Sequence, residues 1–79
     1  MFKIYPNPVF NTLNISIINQ KFTDNYNLII YNGLGNKVLI IENIYNEQLI
    51  NIEHIVKGFY FINILKDNKV IFYDKLIKL

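Results

Sequence analysis

The sequence predicts an all-β protein, an antiparallel β-sandwich of immunoglobulin-like type with about seven short strands. Three observations support this prediction. Apolar and polar residues alternate with the period of two that is typical of half-buried strands. Turn-forming residues recur roughly every eight to twelve positions. No window of about 11 residues has helical spacing, and alanine, the best helix former, is absent from the chain.

The first strand is predicted at residues 2–5, where Phe, Lys, Ile and Tyr precede two prolines. Pro6 and Pro8 fix φ and lack a backbone donor, so the strand must end there. A proline pair of this kind suits the edge of a sheet, where no ladder donor is needed. The next strand is predicted at residues 13–17, where leucine and isoleucine alternate with asparagine and serine.

The middle of the chain predicts a hairpin. Residues 19–25 are polar and predict a loop, and residues 26–31 predict the third strand. Residues 32–36 read Asn-Gly-Leu-Gly-Asn, the strongest turn signal in the chain because Asn and Gly tolerate positive φ. Residues 38–42 then return as the fourth strand, and residues 43–48 form a polar connection.

The last part of the chain predicts three more strands. Residues 49–52 form the fifth, and Gly58 interrupts the pattern before the sixth at residues 59–65. A short charged turn at residues 66–69 joins it to the closing strand at residues 70–79. The last two strands are therefore predicted to form a hairpin.

Length and composition exclude several functions. With 79 residues the chain is one domain at most. The absence of cysteine excludes a disulfide framework, a thiolate zinc site and a thiol nucleophile. Residues 66–79 hold four lysines and two aspartates, while the preceding residues balance at four lysines and four acids, so the whole net charge of +2 lies at the end. This charge is too small for a nucleic-acid interface, and no apolar run is long enough for a membrane helix.

No catalytic or cofactor site is predicted. His54 is the single histidine and has no Ser or Cys near it in sequence, so a small hydrolase that uses it is a weak hypothesis. The glycines at positions 33 and 35 lack the third glycine and the helix of a phosphate-binding loop. The six Tyr and six Phe leave an alternative open, a carbohydrate-binding or adhesion module with an aromatic platform.

Three short patterns occur in a defined order along the chain. Pro6-Asn7-Pro8 opens it, Gly35 is followed by Val38, and Gly58 is followed by Tyr60 ahead of a lysine-bearing final strand. In this order and length the chain resembles the type A C-terminal sorting domain of the type IX secretion system. The resemblance covers nearly the whole sequence, and the three patterns in register make it fairly specific.

The resemblance implies an immunoglobulin-like sandwich at the C-terminus of a larger cargo protein from the Bacteroidetes. Residues 1–79 would then be a single sorting domain separated from that cargo. The implied partners are the outer-membrane translocon, a shuttle protein and a sortase-like peptidase, besides the fused cargo itself. The peptidase would remove the domain and join the exported cargo to the cell surface. The domain would be a recognition signal without enzymatic activity.

The resemblance also implies the residues of interest, which are Pro6, Pro8, Gly35, Val38, Gly58, Tyr60, Lys75 and Lys78. The prolines would set the geometry of the first strand beside the cleavage region. Gly35 would supply positive φ in the hairpin, and Gly58 would allow a tight turn. Tyr60 would pack in the core with its hydroxyl hydrogen-bonded. For these residues the alternative, a role in folding alone, remains open.

The resemblance also implies a charged recognition surface on the C-terminal strand. Lys75, Lys78 and the carboxylate after Leu79 would together form a face that the secretion machinery reads. Open sheet edges also predict a weak tendency to form homodimers by edge-strand pairing.

Overall fold

A computed structural model describes residues 1–79 and contains seven strands and no helix. The strands are β1 (Phe2–Tyr5), β2 (Thr12–Ile17), β3 (Tyr26–Asn32), β4 (Lys37–Ile44), β5 (Gln48–Asn51), β6 (Gly58–Lys66) and β7 (Lys69–Lys78). The seven strands predicted from the sequence are confirmed, and each end lies within two residues of its predicted position. The structure has no helix that could cross a membrane.

The strands form two antiparallel sheets, one of three strands in the order β1-β2-β5 and one of four in the order β4-β3-β6-β7. The chain crosses between the sheets after β2, after β4 and after β5. This is the strand arrangement of an immunoglobulin-like sandwich, except that the fourth strand pairs with β3 rather than with the β1-β2-β5 sheet. The predicted fold class is therefore confirmed.

The core lies between the sheets and follows the alternation of the strands. Fifteen buried apolar side chains form one cluster, and nine of them are isoleucines. In β2 every second residue is buried, and the same holds along the middle of β6. Branched aliphatic side chains fit this pleated surface well, which is why the isoleucine-rich composition is compatible with so small a core.

Candidate functional site

Residues 6–9, here called the N-terminal clasp, lie against the outer edge of β7. The Asn7 Nδ2 amide donates a hydrogen bond to the Lys75 carbonyl oxygen at 2.7 Å. Its Oδ1 accepts one from the Ile77 N–H at 3.0 Å. One step further, the Val9 N–H donates to the Ile77 carbonyl at 2.8 Å, and the Leu79 N–H donates to the Val9 carbonyl at 2.8 Å. The Asn7 carboxamide and the Val9 backbone thus act as a short extra partner for β7.

The two prolines suit this position because neither has an N–H group that could be left unpaired. Both follow cis peptide bonds. Val9 is fully buried and anchors the clasp in the core. The end of the β7 edge, from Lys75 onward, therefore no longer offers a free row of backbone donors and acceptors. The clasp therefore joins the beginning of the domain to its last strand.

Gly58 is the first residue of β6 and lies opposite Lys78 of β7. The expectation that Gly58 forms a tight turn is not met, because the turn lies earlier, at residues 53–54. Gly58 nevertheless has φ of +149°, a conformation that side chains rarely adopt. A Cβ there would lie 4.0 Å from the Tyr60 ring, so the requirement for glycine is one of backbone conformation rather than of space.

Tyr60 is 8% exposed and belongs to the core cluster. Its hydroxyl donates a hydrogen bond to the Val56 carbonyl oxygen, four residues earlier in the chain. A tyrosine at the start of the sixth strand that bonds back to the preceding connection is the tyrosine corner of immunoglobulin-like sandwiches. Tyr60 thus fixes the β5–β6 connection to the four-stranded sheet.

Gly35 lies in the turn between β3 and β4 with φ of +85°. Asn32 organises this turn, since its Oδ1 accepts hydrogen bonds from the N–H groups of Leu34 and Asn36, both at 3.0 Å. The Asn32 N–H also donates to the Asn36 carbonyl at 2.9 Å. Only a residue that tolerates positive φ fits the Gly35 position without strain.

Val38 lies near the start of β4 and is 38% exposed. The β4 residues that pack against the core cluster are Leu39 and Ile41 instead. Val38 adjoins a register irregularity, because Ile30 pairs with Leu39 while Tyr31 pairs with Lys37. The structure therefore places Val38 at a β-bulge on the outer side of the sheet.

Lys75 and Lys78 do not form one face. Side chains alternate along a strand, so residues three apart lie on opposite sides. Lys75 is exposed, whereas Lys78 is only 7% exposed on the side of Leu76. The Lys78 ammonium donates to the Leu79 backbone oxygen at 3.0 Å. The expectation that both lysines present one charged surface is therefore wrong.

Six of the eight residues singled out from the sequence lie close together, where β6 begins and β7 ends. They are Pro6, Pro8, Gly58, Tyr60, Lys75 and Lys78. The other two, Gly35 and Val38, lie at the same end of the four-stranded sheet. Sequence reasoning missed the two cross-chain hydrogen bonds of Asn7 and the buried Val9. The available signal was an amide side chain between two prolines. Pro6 and Pro8 lack N–H groups, whereas the Asn7 carboxamide carries both a donor and an acceptor that can pair with a neighbouring strand.

A second feature that the sequence did not reveal is an ion pair between Asp24 and Lys66, with an Nζ–Oδ1 distance of 2.9 Å. The Lys21 N–H also donates to the Asp24 carboxylate at 2.9 Å. The hydrogen bond from the Lys21 N–H has the larger effect and the one from Lys66 the next; together they lower the pKa of Asp24 to about 2. The neighbouring Tyr26 ring is mostly buried, and this burial raises its pKa. The pair ties the loop before β3 to the end of β6.

No three metal-binding side chains lie together, and no pocket opens at the surface. His54 is exposed in the turn before β6. The described site is a hydrogen-bonded junction of the N-terminal clasp with the last two strands.

The chain was compared with known protein families and with curated proteins. No curated protein matches the chain. A family model described as a secretion system C-terminal sorting domain matches residues 3–79. Such domains are type IX secretion sorting signals and not an enzyme family; they imply an attached cargo, the type IX machinery and passage of that cargo to the outer membrane or surface. The chain belongs to the family of secretion system C-terminal sorting domains.

Proposed function

We propose that this domain directs an attached cargo protein across the outer membrane through the type IX secretion system, and that the domain is then cleaved off and the cargo attached to the cell surface. The observation that carries the proposal is the family match, which extends over residues 3–79 and so over both sheets. In this proposal residues 1–79 form a single domain at the C-terminus of a larger protein. The outer-membrane translocon, the shuttle protein and the sortase-like peptidase are its partners.

The N-terminal geometry supports the cleavage step. Met1 is 83% exposed, and β1 is an edge strand of the three-stranded sheet. A cargo segment joined ahead of Phe2 would therefore leave from the surface. A peptidase could cut this segment without disturbing the clasp, because the clasp lies beyond β1 in the chain.

The test is a fusion of residues 2–79 to the C-terminus of a reporter that carries a Sec leader, produced in a bacterium with a type IX system. We expect the reporter outside the cell, with a mass that lacks the domain. The matched control is the same fusion in a strain without the translocon, where the reporter should stay in the periplasm. Equal retention of the reporter in the periplasm of both strains would contradict the proposal.

A carbohydrate-binding or adhesion module is the second candidate. It is favoured by three exposed aromatic side chains, Phe59, Phe61 and Tyr73, because aromatic rings can stack on sugars. A glycan array tests it directly. Binding that is lost in Tyr73→Ser would support this function, and an array without signal would leave the sorting function alone.

The predicted weak homodimer also remains a proposal. The β4 strand is an open edge of its sheet, and the clasp contacts β7 only from Lys75 onward. Pairing of two such edges would form a continuous sheet. Sedimentation at several concentrations measures this association, and a monomer at the highest concentration would contradict it.

A further inference from the structure

The two outer surfaces of the sandwich differ in character. The outer side of the three-stranded sheet is mainly polar, with Lys3, Asn14, Ser16 and Asn51 in its strands beside Tyr5 and the exposed Leu49. The outer side of the four-stranded sheet, here called the apolar face, exposes large hydrophobic side chains. These are Val38 (38% exposed), Ile40 (55%), Phe59 (69%), Phe61 (44%), Ile71 (44%) and Tyr73 (78%). Patches of this kind mark interaction sites.

The centre of the apolar face is an ordered row of side chains. Tyr31 of β3 pairs with Lys37 of β4 on one side and with Phe61 of β6 on the other. Phe61 in turn pairs with Lys75 of β7. Four strands thus place two aromatic rings between two lysines that are both exposed. An apolar, aromatic centre with a polar, solvent-accessible rim is the usual composition of a protein–protein interface.

The exposed aromatic area is large for so small a domain. Taking about 200 Å² for a fully exposed ring, Phe59, Phe61 and Tyr73 leave roughly 380 Å² accessible. A standard interface buries about 800 Å² on each partner. The three rings alone would supply nearly half of that area, and the aliphatic side chains beside them extend it.

We propose that the apolar face docks on a flat apolar surface of a protein partner, and that carboxylates on this partner meet Lys37 and Lys75. The inference rests on the proposed function, because the partner would then be a component of the secretion machinery. It adds to that function the surface of the domain that is recognised, the apolar face, and the chemistry of the partner surface that binds it.

The charges favour such a partner over a second copy of the chain. Lys37 and Lys75 end the central row, and Glu42 is the acidic residue on the outward side of β4. Asp74 belongs to the inward side with Leu76 and bonds to the backbone N–H of Lys75. Two apolar faces in contact would bring lysines towards lysines, and like charges across an interface are unfavourable.

The aliphatic side chains favour protein over a glycan or a nucleic acid. Val38, Ile40 and Ile71 lie on the two outer strands of the same sheet and offer no hydrogen bonds to sugar hydroxyls. Two lysines are also few for a surface that follows a phosphate backbone. An apolar, acid-flanked protein surface complements both parts of the face.

The test uses the secretion reporter with paired substitutions in the fused domain. We expect Phe61→Ser with Tyr73→Ser to lower the secreted reporter about tenfold, as loss of an interface hot spot does. Lys37→Glu with Lys75→Glu should lower it as well. The matched control, Lys3→Glu with Leu49→Ser on the opposite outer surface, should secrete like the wild type. Thermal melting of each isolated domain identifies variants that fail to fold. If the aromatic double variant does not fold, secretion of the fusion with Lys37→Glu and Lys75→Glu decides whether the inference holds.

A crosslinking experiment identifies the protein that binds the apolar face. Because the chain has no cysteine, a Tyr73→Cys or a Leu49→Cys variant can be labelled at that single position with benzophenone maleimide, a photocrosslinker. Incubated with outer membranes of a type IX host, position 73 should form an adduct that position 49 does not form. The adduct should disappear with Lys75→Glu and in membranes without the translocon.

The outcomes separate the two proposals. If the wild-type fusion is not secreted, the proposed function fails. If the wild type is secreted and the face variants match the control pair, the docking inference is wrong. Adducts with a second copy of the domain, with polysaccharide or with nucleic acid would overturn it too.

Discussion

Replacing Asn7 with alanine removes the side chain that joins the start of the domain to its last strand. The carboxamide makes two hydrogen bonds, to Lys75 at 2.7 Å and from Ile77 at 3.0 Å. Both are solvent-accessible, so water can replace part of what is lost. At about 0.5–1.5 kcal/mol for each bond, we expect a loss of about 1.5 kcal/mol of unfolding free energy. For a domain of this size that corresponds to a fall in Tm of roughly 6–12 °C.

Two measurements test this value. Thermal unfolding followed by circular dichroism gives the change in Tm. Hydrogen exchange then locates the change, because the N–H groups of Ile77 and Leu79 should lose protection while that of Leu28 keeps it. The matched control is Asn25→Ala, since Asn25 is equally exposed and makes no side-chain hydrogen bond.

Two results would refute the reasoning. One is an Asn7→Ala domain that melts within about 1 °C of Asn25→Ala, which would mean that the clasp contributes nothing measurable. The other is a loss of protection spread evenly over all strands, which would mean that the clasp is not a local element.

Three further predictions follow from the same structure. Leu28→Ala in the fully buried centre of the core should cost about 2–5 kcal/mol in urea unfolding, and a cost below 1 kcal/mol would contradict the packing. Gly35→Ala should cost about 1 kcal/mol or more because φ there is +85°, whereas Gly33→Ala should change little; equal effects would refute the role of φ. Because the pKa of Asp24 is lowered from 3.8 to about 2 on folding, its stabilisation is complete only above about pH 5 and is lost as the pH falls towards 2. Asp24→Asn should flatten that part of the stability curve, and an unchanged curve would show that the pair with Lys66 does not stabilise the fold.

Much of the fold could be predicted because its signals are local. Alternation identifies a strand from its own residues, and all seven strands were found in this way. The Asn-Gly turn predicted the β3–β4 hairpin, and the short charged turn predicted the β6–β7 hairpin. These features need no information from the rest of the chain.

The candidate site was predicted less well because it is built from contacts distant in sequence. Asn7 meets Lys75 across 68 positions and Ile77 across 70. Read locally, Pro6-Asn7-Pro8 predicts only the end of a strand. The bonds of the Asn7 carboxamide are decided by which strand edge lies beside it, and that depends on how both sheets close.

Lys78 shows the same limit for charge. A lysine near the end of a chain is expected in solvent, and charge alone predicts that Lys78 and Lys75 lie on one surface. In the structure Lys78 lies between Val9 and Gly58 in the sheet and shares the core side of β7 with the buried Leu76, so Lys78 is buried and Lys75 is exposed.

Strands, turns and family can be read from the order of the residues, because alternation, glycine and asparagine act over a few neighbouring residues and the family patterns keep their order along the chain. Which strands share a sheet, the pairing of Asn7 with the end of β7, and the difference in polarity between the two outer surfaces emerge only once the chain is folded. The physical reason is that burial and pairing depend on which surfaces meet, and the residues on those surfaces lie far apart in the chain.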